Sequence, residues 1–215
     1  MGFKDESGEI VGFDVDLAKE VAERLDVEIT FQPIDWAMKE TELASGNIDM
    51  IWNGYTITEE RKEKVLFTEP YLNNSQIIVT MADSDIKTKA DLAGKVVATQ
   101  QGSAAFDAII ADETGIAAEF DGGAPILYPT FNDVFNDLES GRSDAIVVDE
   151  VLGRYTMKLK GEEKYTVLTD NFGEEEYGVG VRKEDMELKE AIDETMNEMR
   201  EDGTYDEIYA TWFAE

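Results

Sequence analysis

Residues 43–51 read LASGNIDMI, and residues 138–146 read LESGRSDAI. Leu, Ser, Gly, Asp and Ile recur at identical spacing. Each copy predicts the same local structure: a helix end, a glycine that turns the chain out of the helix, and a strand entering a sheet. Two copies of one junction, far apart in a single chain, predict two lobes of similar plan. Working outward from the first copy, Leu17, Val21 and Leu25 fall four apart and predict a helix capped by Asp14. Val27, Ile29 and Phe31 alternate as a strand ending at Pro33, and a helix from about Asp35 to Ser45 stops at Gly46. Residues 48–51 and 76–81 read as further strands.

Outward from the second copy, residues 91–94 close a short helix and residues 95–99 (KVVAT) read as a buried strand. The loop Gln100-Gln101-Gly102-Ser103 leads into a helix through Phe106, Ile109 and Ile110. Residues 126–128 form a short strand, and Asn132 or Asp133 caps a helix through Val134, Phe135 and Leu138. Residues 145–148 and 179–181 are strands. Leu188, Ile192, Met196 and Met199 line one late helix; Tyr205, Ile208, Tyr209 and Trp212 line another. Strands alternating with helices imply an α/β fold with mostly parallel sheets flanked by helices. The lobes are expected over residues 1–82 plus 182–215 and over 86–178, joined by hinge strands near 80–85 and 178–182. Ligands of such sheets bind at the carboxyl ends of the strands.

The chain has 215 residues, 49 of them acidic and 19 basic, for a formal charge of −30. A surface of that sign repels nucleic acid and anionic membranes, which drop out as direct partners. With 42% hydrophobic residues, three Trp, eight Tyr and ten Phe, the composition is that of a folded globular protein. Cysteine and histidine are absent, which removes disulfides, thiol nucleophiles, Ser-His triads and the usual transition-metal ligands, so no cofactor is expected. No apolar run approaches the roughly 20 residues of a membrane span, and residues 1–6 (MGFKDE) do not form a signal peptide, so an export signal is expected upstream.

After the strand at 48–51 comes WNGYTITEER, residues 52–61. Asn-Gly-Tyr-Thr is ordinary turn chemistry and Thr58 is a good N-cap, with Arg61 a solvated charge in the first helical turn. The functional alternative is that free amides near Gly54, the hydroxyl of Thr56 and the guanidinium of Arg61 grip a small carboxylate. Asp149, at the exit of the strand 145–148, reads by itself as one solvated carboxylate among many.

Several segments decide between these readings as an ordered set. They are Gly12-Phe13-Asp14-Val15-Asp16-Leu17, Ser45-Gly46-Asn47-Ile48-Asp49, residues 54–61 (GYTITEER), Phe67-Thr68-Glu69-Pro70-Tyr71, Gln101-Gly102-Ser103, Ser140-Gly141-Arg142-Ser143-Asp144-Ala145, Asp149-Glu150 and Asp202-Gly203-Thr204-Tyr205. Over almost its whole length the chain resembles the extracytoplasmic amino-acid-binding proteins of ABC importers, solute-binding family 3. The resemblance implies a two-lobe, type II periplasmic-binding-protein-like fold that closes on a free amino acid by hinge bending and presents it to the permease subunits. It gives Arg61, with Gly54, Thr56 and Ser103, the ligand's carboxylate, and gives Asp149 the ammonium. Trp36 becomes a wall for the ligand's side chain, and Gln100 faces that side chain. Ala104 departs from the family, which often has a second hydroxyl there. An extracytoplasmic location and a non-enzymatic role follow. The alternatives are a cyclohexadienyl dehydratase on the same scaffold, with Glu150 or another cleft carboxylate as general acid, and the sensing domain of a larger receptor. Family members also begin with a strand and an aromatic loop ahead of the segment matching residues 3–8. No strand-length apolar run precedes Ile10, so the first lobe is expected to lack its opening strand, and a strand-sharing homodimer is expected to fill the gap.

Overall fold

The computed structural model describes residues 1–4 and 7–213. Asp5 and Glu6 of the expected opening loop, and residues 214 and 215 of the first lobe, lie outside them. From the amino terminus, β1 (Phe3–Lys4) and β2 (Ile10–Val11) pair antiparallel ahead of α1 (Phe13–Arg24). Then follow α2 (Lys39–Ala44), β3 (Met50–Ile51), α3 (Glu59–Lys64) and β4 (Leu66–Phe67). The middle of the chain supplies β5 (Leu72–Met81), β6 (Val97–Gln100), α4 (Ala104–Ala111), β7 (Ile126–Tyr128), α5 (Phe131–Glu139), β8 (Ala145–Asp149), α6 (Glu150–Lys160) and β9 (Tyr165–Tyr177). It ends with β10 (Gly180–Val181), α7 (Met186–Asp202) and α8 (Thr204–Phe213).

The chain divides into two compact units, one of residues 1–34, 38–72 and 176–215, the other of residues 35–37 and 73–175. The divisions at 72/73 and 175/176 fall earlier in β5 and β9 than the expected hinges near 80–85 and 178–182. The reason is pairing: β5 and β9 are neighbours in the five-stranded sheet of the second unit, so most of both strands belongs there. Residues 35–37, expected in the first lobe, also group with the second unit.

In the second unit the strand order is β7-β6-β8-β5-β9. The pairs β6/β7 and β6/β8 are parallel and β5/β8 is antiparallel. Period-two alternation sends Val97, Ala145, Val147 and Ile78 to one face, against Ala105 and Ile109 of α4. Ala98, Ile146, Val148, Ile77 and Val79 go to the other, against Val134, Phe135 and Leu138 of α5 and Met157 of α6. A strand buried on both faces must be apolar throughout, which is why residues 145–148 read as one continuous apolar run. The first unit differs from expectation. Its three-stranded sheet, β3-β10-β4, is antiparallel at both pairings, because β10 comes back through the sheet between two strands that run the other way.

Local expectations were corrected in three places. Residues 27–31 form no strand, and Val27 is 58% exposed; alternation supplies propensity, but a strand exists only with a ladder partner, and among the described residues this segment has none. The cap of α5 is Thr130, whose hydroxyl accepts from the Asp133 amide at 3.1 Å, rather than Asn132 or Asp133. The cap of α1 is Gly12, and Asp14 is turned inward.

The duplicated junction is duplicated in three dimensions. Gly46 and Gly141 have φ of 73° and 71°. The Gly46 amide donates to the Leu43 carbonyl at 3.1 Å and the Asn47 amide to Glu42 at 3.0 Å; the Gly141 amide donates to Leu138 at 3.0 Å and Arg142 to Asp137 at 3.2 Å. Both are Schellman ends, which require a left-handed residue at the glycine. A Cβ at either glycine meets nothing within 4 Å, so only backbone strain opposes substitution. Gly46→Ala and Gly141→Ala are each expected to cost roughly 1–2 kcal/mol, measured by urea unfolding. A difference of more than about 1 kcal/mol between them would refute the equivalence. The acid excess gives a second expectation. Raising NaCl from about 10 mM to about 1 M shortens the screening length from roughly 30 Å to 3 Å and should raise the melting temperature; a flat or falling temperature would show that self-repulsion does not limit stability.

Candidate functional site

In the first unit the site is built on the loop after β3. The Asp14 carboxylate, 1% exposed in the first turn of α1, accepts from the Gly54 amide at 2.8 Å and from the Tyr71 hydroxyl at 2.9 Å. Burial and the Asp14 charge hold the Tyr71 phenol well above its usual pKa, so it stays a neutral donor. The Gly54 amide is therefore committed to Asp14 and is not one of the free amides expected for a ligand. Gly54 has φ of 56°, and a Cβ there would lie 3.2 Å from the Tyr177 ring, so glycine is required by the turn and by crowding.

The chain then runs beside residues 176–178. Thr56 bridges Tyr177, the Ile57 amide donates to the Glu176 carbonyl at 2.9 Å, and the Gly178 amide donates to Tyr55 at 3.0 Å. Thr56 is 3% exposed, and its hydroxyl makes no hydrogen bond among the described residues. Thr58 caps α3, its hydroxyl accepting from the Arg61 amide at 3.1 Å. That cap orients the first turn so that the Arg61 guanidinium folds back: Nη1 donates to the Thr56 carbonyl at 3.1 Å, and the guanidinium carbon lies 5.0 Å from the Tyr55 ring centroid. Arg61 is 5% exposed, so it is not a solvated charge. The Tyr55 ring is itself fixed, stacked on Phe67 at 4.9 Å with its hydroxyl donating to Glu40 at 2.9 Å. Burial, with the Glu40 charge second, raises the Tyr55 pKa, so the ring remains neutral against the cation.

The second unit gathers its residues at one sheet edge. β6 and β8 are parallel neighbours, so Gln100 and Asp149 end adjacent strands at the same side. Ser103 caps α4 with its hydroxyl: it accepts from the Phe106 amide at 3.2 Å and donates to the Gln100 carbonyl at 2.7 Å. The hydroxyl hydrogen is thus spent locally, and the amides at the start of α4 are what the loop can offer an anion. Ala104, the first residue of α4, is 8% exposed and adds no hydroxyl. The Gln100 side chain donates to the Pro129 carbonyl at 2.9 Å, which turns its amide nitrogen toward the connection before α5 rather than to a ligand. Gly102 packs close to Ala37: a Cβ on Gly102 would lie 3.1 Å from the Ala37 Cα. Half-buried Trp36 shares that short turn, in the same unit as the Ser103 loop.

Asp149 is 6% exposed and accepts from Asn74 at 3.2 Å and Gln76 at 2.6 Å. The structure thus joins Gly54, Thr56 and Arg61 in one unit and Trp36, Gln100, Ser103, Ala104 and Asp149 in the other. Sequence reasoning missed Asp14, Tyr55, Asn74 and Gln76. The signal for the last two was present: Asn74 and Gln76 are polar at alternate positions leading into the apolar run 77–79, which marks one strand face changing from polar to apolar. Asp14→Asn keeps the size of the side chain but loses the charge that holds two donors. It should lower stability by about 1–3 kcal/mol per weakened buried hydrogen bond, read by chemical denaturation; an unchanged midpoint would show that Asp14 does not hold the Gly54 turn.

Comparison with known proteins places this geometry. The profile of the bacterial extracellular solute-binding proteins, family 3, matches residues 1–215. The histidine-binding periplasmic protein of Salmonella typhimurium is 35% identical over 221 residues, spanning 98% of this chain and 82% of its own length. The L-cystine-binding protein TcyJ of Escherichia coli is 32% identical over 213 residues, 98% of this chain and 77% of its own. A substrate-binding protein of an ABC uptake transporter from Streptococcus pneumoniae, solved with bound histidine, superimposes with a TM-score of 0.97 at 38% identity, covering 100% of this chain and 88% of that one.

Proposed function

Because the chain belongs to the bacterial extracellular solute-binding proteins, family 3, we propose that it binds a free amino acid and delivers it to the permease of an ABC importer. The observation that carries this reading is the pair of buried, oppositely charged side chains, Arg61 at 5% and Asp149 at 6% exposure, one in each unit. An α-amino acid carries a carboxylate and an ammonium on one carbon. Arg61, with the Thr56 hydroxyl in the same unit, suits the carboxylate, because a planar fork donates to two oxygens at once. Asp149 suits the ammonium. Relatives named for histidine and for cystine support an amino acid as ligand and differ on its side chain.

The reading asks for capture and release and needs no bond to be made or broken, so the protein acts as a binding module at the outer face of the cell membrane. Among the described residues no helix is long and apolar enough to cross a membrane. A strand-sharing homodimer is the second partner we propose: the alternating segment 27–31 has no ladder partner among the described residues. Light scattering at twice the chain mass would bear this out, and a monomer at micromolar concentration would sink it.

A thermal-shift screen of the common amino acids and cystine tests the function directly, since a ligand at 100 times its Kd stabilises the folded state by about 2.7 kcal/mol. No shift with any of them would overturn the reading. With the best ligand, Arg61→Lys keeps the charge and loses the fork, and affinity by calorimetry should fall roughly tenfold to a hundredfold, about 1.5–3 kcal/mol. Asp149→Asn should weaken binding without lowering the melting temperature of the unliganded protein by more than a few degrees. Parent-like affinity in either variant would remove that residue from the site.

A further inference from the structure

Asn53-Gly54 is the one Asn-Gly pair in the sequence. Asparagine is chemically labile, and a following glycine lacks the Cβ that would hinder approach of the backbone nitrogen to the side-chain amide. The Gly54 nitrogen, once hydroxide has removed its proton, is a nucleophile for Asn53 Cγ. The new C–N bond closes a succinimide ring while the Cγ–Nδ2 bond breaks, and Nδ2 leaves as ammonia with a proton from water. Water then opens the ring at Cγ, giving aspartate, or at the backbone carbonyl, giving isoaspartate. The net change is one water consumed and one ammonia released.

The fold keeps this pair and cannot exchange its glycine. Gly54 has φ of 56°, and a Cβ there would lie 3.2 Å from the Tyr177 ring. Both reacting groups are instead held by other partners. The Gly54 amide donates to Asp14 Oδ2 at 2.8 Å. Removing that proton would leave an anion against a carboxylate that is 1% exposed, and a neighbouring like charge disfavours it. The Asn53 side chain is tied elsewhere: its Oδ1 accepts from the Gly2 amide at 2.7 Å, and its Nδ2 donates to the Gly2 carbonyl at 3.4 Å. Rotation that brings Cγ onto the Gly54 nitrogen works against both bonds.

We propose that Asn53 is a latent deamidation site, kept closed by the Asp14–Gly54 and Asn53–Gly2 hydrogen bonds and opened by local loosening of the turn ahead of Thr56 and Arg61. The claim is independent of what the protein binds. Either product loses the Nδ2 donor and sets a negative charge against the Gly2 carbonyl, and isoaspartate also adds a carbon to the backbone of the turn. Modification therefore works against the closed turn, which makes it a one-way change. Asp14 is a positioning residue here, acting on Asn53 only through the Gly54 amide.

The test keeps the protein in mildly alkaline buffer, with and without urea, and follows the peptide carrying residue 53 by mass spectrometry, with chromatography separating isoaspartate from aspartate. Modification in urea should outrun that in the folded protein by roughly tenfold or more, as expected where reaction needs a rare local opening. Hydrogen exchange of the Gly54 amide in the same buffer should show protection of similar size, because one opening controls both. Asp14→Asn should speed modification of the folded protein roughly tenfold, since it weakens a charge-assisted hydrogen bond. Gly46→Ala, which strains the same unit away from the turn, should stay near the parent rate. Equal rates in folded and unfolded parent, no modification in urea, or an unprotected Gly54 amide would each overturn the proposal without any variant. So would a folded Asp14→Asn protein that reacts at the parent rate. A Gly46→Ala rate as high as that of Asp14→Asn would do the same, because global stability alone would then set the rate.

Discussion

The Asp14 carboxylate has almost no access to water and makes two hydrogen bonds that other residues depend on, to the Gly54 amide and to the Tyr71 hydroxyl. A buried charge is tolerated only where donors replace its hydration. Asp14 therefore fixes where the chain leaving β3 can turn, and Gly54 supplies the only kind of residue that turn accepts. Once the turn is fixed, Tyr55 is placed on Phe67, Thr56 is bridged to Tyr177, and Thr58 begins α3 with Arg61 folded back on Tyr55. The placement of Arg61, which the proposed function assigns to the ligand's carboxylate, is thus a consequence of one buried acid.

That acid also shows where sequence reasoning stops. Asp14 sits just before a helical apolar pattern, and position alone makes it an N-cap; the distinction between capping its own helix and holding a loop forty residues away is made by tertiary packing. The strand 145–148, the glycine stops at Gly46 and Gly141 and the cap at Thr58 were all legible, because each is set by neighbours a few residues apart. Residues 27–31 were misread for the opposite reason: their alternation is local, but a strand needs a partner. Resemblance singled out Arg61, Thr56 and Asp149, and all three are buried. The finer detail was not legible. That the Gly54 amide and the Ser103 hydroxyl hydrogen are already spent, and that Gln100 donates to Pro129, are facts about hydrogen bonds between segments.

The polar cluster on β5 and β8 carries the same logic into the second unit. Alternation along β5 puts Asn74, Gln76 and Ile78 on one face, and along β8 puts Ala145, Val147 and Asp149 there. The same face that packs Ile78, Ala145 and Val147 under α4 changes to amides and carboxylates two residues further along each strand. The apolar part gives rigidity and the polar part inherits it: rotamers of Gln76 and Asp149 are set by strands whose next residues are fully buried. A flexible loop could carry the same functional groups, but it would have to order them on binding and lose affinity in doing so. Side chains held on a buried sheet face have that cost removed in advance.

The charge of −30 then has a second consequence beyond solubility. A surface dominated by carboxylates attracts cations generally, so a site that relied on a single exposed acid would compete poorly with the rest of the protein for an ammonium. Selectivity requires acceptors that differ from the surface in something other than sign. Burial supplies that difference. Asp149 and Gln76 are 6% and 1% exposed, and in a low-dielectric surrounding the hydrogen bonds among the amides and carboxylates of this face are stronger than their counterparts at the surface.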